Sequence, residues 1–117
     1  MTRALRSAIL AILVAIAPSA HAQTGHGGHD AASASQAYMQ AMSKMNDDME
    51  GMEMTGKAGV DFAAMMIPHH QSAIDMARAY LDSEEDDPEL VKLSEEIIAA
   101  QEREIAFLRD WLARNGN

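Results

Sequence analysis

Apolar residues recur every three or four positions along three stretches of the chain, and this period predicts three helices. The stretches run from about Ser35 to Met52, from about Asp61 to Leu81, and from Pro88 to about Arg114. No stretch alternates apolar and polar residues as a half-buried strand does. The short connections favour antiparallel neighbours, so the pattern predicts an all-α, antiparallel helical bundle.

Capping residues support the third helix, and glycines separate the first two. Asp87 is a natural N-cap, Pro88 suits the first helical position, and Asn115-Gly116 is a normal stop. Gly56 and Gly59 lie between the first and second helices. The connection to the third helix is the acidic segment of residues 82–87.

The amino-terminal residues have the pattern of a cleaved secretory signal. Arg3 and Arg6 precede an apolar run over residues 8–17, and Ala20-His21-Ala22 offers the small residues needed for cleavage before Gln23. An apolar run of about ten residues is too short to span a bilayer as a helix. We therefore expect a signal peptide over residues 1–22, no permanent membrane anchor, and a periplasmic or secreted product.

Residues 23–34 are rich in Gly, His and Ser and carry no apolar period, which predicts a flexible tail before the bundle domain of residues 35–114. His26 and His29 could hold Cu(II) or Zn(II) there, although a flexible pair is a weak set of ligands. A solubilising linker is the other interpretation of the tail.

Composition narrows the function. The formal net charge is -9, and without Arg3 and Arg6 it becomes -11, from seven basic and 18 acidic residues, which argues against nucleic-acid binding. The chain has no cysteine, so disulfides, thiolate metal sites and iron–sulfur clusters are excluded. It has ten methionines but only five aromatic residues. This imbalance is the first indication of function.

A methionine stripe follows the first predicted helix. At about 100° per residue, the members of the stripe fall within roughly 80° of arc; they are Tyr38, Met42, Met45, Met49 and Met52. Such a stripe is usually core, but this one contains no Leu, Ile, Val or Phe. Core packing and soft-metal binding both stay open for Met42, Met45 and Met49.

The second predicted helix pairs methionines with histidines. Met65 precedes His69 by four residues and Met66 precedes His70 by four, so each imidazole has a thioether one turn away. Met76 follows His69 by two turns on the same side. Pro68 should bend the helix beside both histidines. The pattern suggests a metal site, and the alternative is a pair of core histidines.

The third predicted helix carries two polar residues in its apolar face, which consists of Leu90, Leu93, Ile97, Ile98, Ile105, Leu108, Trp111 and Leu112. Gln101 and Glu104 project into this face, where an unpartnered polar group is costly. We expect one of them to accept a hydrogen bond from an imidazole N–H of the second helix and to orient the other ring nitrogen. Alternatively, the two bond each other or the backbone near Pro68.

Thioether and imidazole donors suit Cu(I) and Ag(I) far better than Mg²⁺ or Ca²⁺, which prefer oxygen. Methionine also keeps its soft donor in an oxidising compartment where thiolates form disulfides. No Glu-x-x-His repeat, His-Glu-x-x-His motif or phosphate-binding loop occurs, so we expect no enzyme.

The residues from Met65 to Ala77, together with Ile97 to Ile105 and Trp111-Leu112, resemble the family catalogued as domain of unknown function 305, which includes CopM-type periplasmic copper-binding proteins. The resemblance implies a ferritin-like helical bundle and a copper- and silver-binding role. It implies Met66, His69, His70 and Met76 as ligands and marks Gln101 and Glu104 as matching polar positions. Many relatives have Met at the position of Leu108, and their bundle usually has four helices. With three helices predicted here, a fourth would come from a homodimer partner or would be absent.

The sequence therefore predicts an exported, non-enzymatic Cu(I)-binding protein that acts as a metallochaperone or buffer in copper tolerance. Its partners would be copper ions and a copper efflux or delivery protein. The alternative is a metal-independent helical module whose methionine-rich face docks a partner. A copper oxidase or ferroxidase is a third, less favoured hypothesis.

Overall fold

The computed structural model describes the backbone of residues 27–116 and the side chains of residues 31–116. This part of the chain forms three helices, α1 (Gly27–Glu50), α2 (Ala58–Leu81) and α3 (Pro88–Asn115). The all-α, antiparallel prediction is confirmed. The predicted signal peptide, His26 and the side chain of His29 lie outside the described residues.

Helix α2 is the central element and packs against both α1 and α3. Between α1 and α3 themselves, no pair of described Cα atoms lies within 8 Å. The three helices therefore form one open layer rather than a closed bundle. None of the helices that the structure describes is long and apolar enough to cross a membrane.

The first helix is longer than the sequence predicted. It begins at Gly27, whereas the periodicity placed its start near Ser35, so the predicted flexible tail is wrong for residues 27–34. Ala31, Ala32 and Ala34 explain the extension, because alanine has the highest intrinsic helix propensity and needs no apolar period to form a helix. At its other end α1 stops at Glu50, two residues before the predicted end.

The turn between α1 and α2 is held by one carboxylate. Asp61 accepts hydrogen bonds from the Thr55 N–H at 2.8 Å, the Thr55 hydroxyl at 2.7 Å and the Gly56 N–H at 3.1 Å. Gly56 adopts a positive φ of 76°, which a side chain would strain. The hydrogen bonds from Thr55 and Gly56 lower the pKa of Asp61, because they stabilise its charged form.

The start of α3 matches its sequence signals. Asp87 is the N-cap, and its side chain accepts hydrogen bonds from the Glu89 N–H at 3.0 Å and the Leu90 N–H at 3.1 Å. Pro88 follows at the first helical position, where its missing N–H costs no hydrogen bond. This cap and the end of α2 at Leu81 agree with the predictions.

The core of the layer lies along α2. Ile74 is 1% exposed, and the other buried residues include small ones from α2 and larger ones from α3, namely Ala63, Ala77, Ile105 and Leu108. At the start of α2, a Cβ on Gly59 would lie 3.1 Å from the Trp111 ring, so a larger residue there would press on the indole. Pro68 is buried within α2, and the helix continues on both sides of it.

The layer has two faces of different character. One, here called the methionine face, presents apolar and thioether side chains from all three helices: Tyr38, Met42, Phe62, Met66, Met76, Tyr80, Ile97 and Phe107. The other, here called the charged face, carries the pairs Lys44–Asp48, Gln71–Asp75 and Arg78–Glu102. The side chains of the predicted metal site belong to the methionine face and to its contact with α3.

Candidate metal site

His70 and Glu104 join α2 to α3. The His70 Nε2 lies 2.5 Å from the Glu104 Oε2, and the His70 side chain is only 12% exposed. Because the helices are antiparallel, residues 34 positions apart in the chain meet at the same level of the layer. The expected hydrogen bond between an imidazole of α2 and a polar residue of α3 is therefore present, with Glu104 as the acceptor.

The second nitrogen of the same ring has no partner. His70 Nδ1 is buried and makes no hydrogen bond within the described part of the chain. The Glu104 carboxylate can only accept a hydrogen bond, so the His70 Nε2 must carry the proton. A second proton on Nδ1 would leave a buried donor unsatisfied. A tautomer with its proton on Nε2 avoids a buried unsatisfied donor, but it leaves a buried Nδ1 lone pair that no described residue satisfies. Such a nitrogen is the form of histidine that binds metal ions.

A thioether lies in the cavity beside this imidazole. The cavity has a volume of about 290 Å³ and is lined by Phe62, Met66, His70, Glu104, Phe107 and Leu108. Met66 comes one helical turn before His70, and both residues line this cavity, as their i,i+4 spacing on one side of α2 suggested. Leu108, at the position where many members of the family that the chain resembles have Met, adds an apolar wall instead of a second sulfur.

His69 has a different environment from its neighbour. Its side chain is exposed, and the two imidazole centroids are 6.4 Å apart with ring planes tilted by 59°. Adjacent helical residues point about 100° apart, so only one of the two can face α3 directly. The structure therefore separates His69 from the His70 cavity, although the sequence placed both histidines on one broad face.

Met76 lines a second cavity of about 300 Å³, with Tyr38, Ala73, Ala77, Tyr80, Ser94 and Ile97. Met76 is two helical turns after His69, on the same side of α2, and the six residues from His70 to Met76 rise about 9 Å, so Met76 lies in a different cavity from His70. The Tyr80 hydroxyl is buried near the Asp87 backbone N–H but does not form a well-aligned hydrogen bond. Burial raises the pKa of the Tyr80 phenol.

Residues 10–112 match the family described as a domain of unknown function (DUF305). The chain belongs to the DUF305 family. No curated protein and no solved structure matches this DUF305 chain. The family description names no activity, so the site has to be interpreted from its own geometry.

The remaining predicted ligands of this DUF305 protein are spread over the layer. The Ser72 hydroxyl donates to the Met42 sulfur at 3.9 Å, which ties α1 to α2. Met45, Met49 and Met65 are half-buried and do not line the His70 cavity. Gln101 is half-buried and forms no hydrogen bond with the described residues, so Glu104 alone supports the imidazole.

The donors that the structure brings together are one imidazole, one thioether and one supporting carboxylate. Among residues 31–116 no three His, Asp or Glu side chains converge as a metal site. Phe62 and Phe107 also line the cavity, and sequence reasoning missed both. The signal for Phe107 was its position three residues after Glu104, on the same side of α3.

Proposed function

We propose that this protein binds Cu(I), and Ag(I) by the same chemistry, as an exported metallochaperone or buffer without enzymatic activity. The observation that supports the proposal is the buried, unpartnered His70 Nδ1, together with the cavity that both His70 and Met66 line. A buried nitrogen without a partner is costly, and a bound metal ion would remove that cost. Localisation in the periplasm or outside the cell follows from the proposed signal peptide.

The character of the donors selects a soft ion. Thioether sulfur is neutral and polarisable, and imidazole is a borderline donor, so the pair favours Cu(I) over ions that prefer oxygen ligands. Phe62, Phe107 and Leu108 make the cavity largely apolar. An apolar wall favours a monovalent ion with neutral ligands, because each additional charge raises the cost of leaving water.

Glu104 supports the imidazole in this proposal rather than binding the metal. A histidine ligand commonly donates its second N–H to a carboxylate, which holds the ring in place and raises its basicity. The Glu104 side chain is 58% exposed and the His70 side chain 12%, so the carboxylate stays in contact with water while the imidazole is inside. Gln101 forms no hydrogen bond with either imidazole, so it has no role in the primary site of this proposal.

The further donors have lesser roles in this proposal. Met65 and His69 do not line the His70 cavity, so in this proposal they contribute to a separate, weaker site rather than to the primary one. Met76 and the α1 methionines Met42, Met45 and Met49 would form separate, weaker sites along the methionine face. Cu(II) binding by His26 and His29 in the amino-terminal region is a separate part of the proposal.

Competition of the purified protein with a chromophoric Cu(I) chelator tests the primary site. We expect His70→Ala to weaken the tightest site by about 100-fold, with a smaller loss in Met66→Leu, because the first removes a ligand that Glu104 holds in place and the second removes a thioether ligand that has no such support. His69→Ala is the matched control for the histidine, and Met39→Leu is the control for the thioether, since Met39 is 71% exposed. Both controls should change the affinity by less than about threefold.

The variants also separate site loss from unfolding. Met66→Leu is close to isosteric, so its helix content and thermal midpoint should match the parent in the absence of copper. If His70→Ala and Met66→Leu both keep the parent affinity for Cu(I), the primary site is not at this cavity. If the parent chain has no tight Cu(I) site at all, the proposed function itself is wrong.

A further inference from the structure

Helix α1 is held to the layer less firmly than α3 is. Ala41 is its one buried residue among the side chains that the structure describes, whereas α3 buries Ser94, Ile105 and Leu108. No ion pair between described side chains joins α1 to α2, because the pair in α1 lies within that helix and the others involve α3. A single polar contact between α1 and α2 therefore matters for the position of α1.

That contact runs from the Ser72 hydroxyl of α2 to the Met42 sulfur of α1, over 3.9 Å. Ser72 is 5% exposed, and its hydroxyl forms no other hydrogen bond with the described residues. A thioether sulfur is a weak acceptor, and the contact is long. A buried hydroxyl with so weak an acceptor still carries part of the cost of an unsatisfied donor.

We infer that Met42 is an oxidation site, at which hydrogen peroxide converts the thioether to a sulfoxide whose oxygen accepts the hydrogen bond of Ser72. The step transfers one oxygen atom from the peroxide to a lone pair of the sulfur. The O–O bond breaks and an S–O bond forms, so the sulfur gives up two electrons and the peroxide is reduced to water. The oxidised side chain then fastens α1 to α2 more firmly than the thioether does.

The distance between the two side chains suits this product. An ordinary O–H···O hydrogen bond spans about 2.7–2.8 Å between its oxygens. The separation of 3.9 Å between the Ser72 oxygen and the Met42 sulfur is longer, which leaves room for an oxygen bonded to the sulfur. Methionine has three rotatable bonds, so an oxygen added from the solvent side can turn toward Ser72. A sulfoxide oxygen is also a stronger acceptor than the thioether sulfur, because it carries more negative charge.

Met42 combines access to an oxidant with a donor for the product. It is 39% exposed, and among the described methionines it alone has a hydrogen-bond donor at its sulfur. Met39 is 71% exposed and is open to the same oxidation, but its oxygen would meet only water. Met42 does not line the His70 cavity, so this inference goes beyond the proposed function and does not depend on it.

Hydrogen exchange measured by mass spectrometry tests the inference on metal-free protein. Replacing Met39, Met45 and Met49 by leucine leaves Met42 as the only methionine of α1, with little change in side-chain volume. After mild treatment with hydrogen peroxide, α1 peptides that carry one added oxygen are compared with unoxidised ones from the same sample. We expect the oxidised form to exchange its α1 amides about two- to tenfold more slowly, which is the effect of one additional net hydrogen bond.

Ser72→Ala is the control for the donor, because it removes the hydroxyl and leaves a small side chain at a buried position. In this background oxidation of Met42 should speed the exchange of α1, since the sulfoxide then adds only a polar group to the helix contact. A chain that keeps Met39 and carries Met42→Leu is the control for the site. Oxidation at Met39 should leave the exchange of α1 unchanged with or without Ser72.

Met42→Gln tests the same contact without an oxidant, because the glutamine side chain places a carbonyl acceptor near the position of the sulfoxide. Its effect on the unfolding equilibrium constant should be about two- to tenfold smaller in the presence of Ser72 than in Ser72→Ala. Met39→Gln is the matched control, and its effect should be the same in both backgrounds.

Faster exchange of α1 after oxidation of Met42, in the chain with Ser72 as well as in Ser72→Ala, would overturn the inference. So would peroxide treatment that oxidises Met39 and leaves Met42 intact, or a Met42→Gln effect that does not depend on Ser72. Copper is absent from all these experiments, so their failure leaves the Cu(I) site untouched, and failure of the chelator competition leaves this inference untouched.

Discussion

The two faces of the helical layer differ in how their polar groups are satisfied. On the charged face, the Lys44 ammonium lies 2.5 Å from the Asp48 carboxylate, and Arg78 lies 2.8 Å from Glu102. The contact with Asp48 raises the pKa of Lys44. The methionine face and its contact with α3 contain instead a buried imidazole nitrogen and a buried phenol, neither of which has a partner in residues 31–116.

This difference indicates which side of the molecule meets a ligand or a partner. Exposed ion pairs are in contact with water and contribute little to stability, so the charged face needs nothing further. Unpartnered buried groups and large exposed apolar side chains have a cost that something outside the isolated chain can remove. The methionine face is therefore where binding would stabilise the protein, and the charged face serves as its soluble exterior.

The largest effect is expected between the two faces, at the side chain that holds α2 in the layer. Ile74 is 1% exposed, and Ile74→Ala should reduce the free energy of unfolding by about 2–5 kcal/mol through lost burial and a residual cavity. Chemical denaturation followed by circular dichroism measures this change. Leu93→Ala, at a 49% exposed position of α3, is the comparison and should cost far less. Equal losses for the two variants would contradict the description of the core.

The two glutamates that pair with α2 compare the faces directly. Glu104→Gln should weaken Cu(I) binding by about 10–100-fold, because removal of the carboxylate beside a metal-binding histidine has effects of this size. Glu102→Gln, which loses the partner of Arg78 on the charged face, should leave copper affinity unchanged. Competition with a Cu(I) chelator measures the Cu(I) affinity of both variants. Equal affinities would show that Glu104 does not support the metal site.

Acid should loosen the turn that positions the start of α2. The folded pKa of Asp61 is lowered by hydrogen bonds from Thr55 and Gly56, so its stabilising contribution is complete above the pKa it has in the unfolded chain and is lost as the pH falls through the folded value. Thermal unfolding across the acidic range should show a loss of stability in the parent that is reduced in Asp61→Asn. Asp110→Asn, at an exposed position of α3, should keep the profile of the parent.

The smallest effect is expected on the charged face. Arg78→Ala removes an ion pair whose two side chains are each 53% exposed, so the free energy of unfolding should fall by less than about 1 kcal/mol. Added salt should reduce even this difference, because it screens exposed charges. A loss comparable with that of Ile74→Ala would mean that the charged face also holds the layer together.

The sequence predicted the elements better than their ends. Asp87 and Pro88 marked the start of α3 correctly, because a cap is a local hydrogen-bonding arrangement that sequence alone can reveal. The start of α1 was missed, since Gly27, Gly28 and the nearby serines resembled a linker while the alanines after them favour helix.

The residues of the site were partly predictable from the sequence, but which of the two adjacent histidines lines the cavity was not. The i,i+4 spacing anticipated Met66 beside His70, and the polar positions of α3 anticipated Glu104 as a partner. The choice of His70 over His69 depends on which side of α2 meets α3, and helical angles alone do not determine that. The spacing also placed Met76 on the same side as His69, but it could not show that Met76 lies in a separate cavity.

The central claim concerns one atom, the Nδ1 of His70, and nitrogen NMR of the imidazoles observes it directly. In metal-free protein we expect His70 to carry its proton on Nε2, beside Glu104, with an unprotonated Nδ1. Addition of Cu(I) or Ag(I) should shift the Nδ1 resonance of His70 strongly and leave its Nε2 protonated, while His69 changes little. An unchanged His70 resonance at saturating metal, with shifts confined to His69 or to other histidines, would contradict the account.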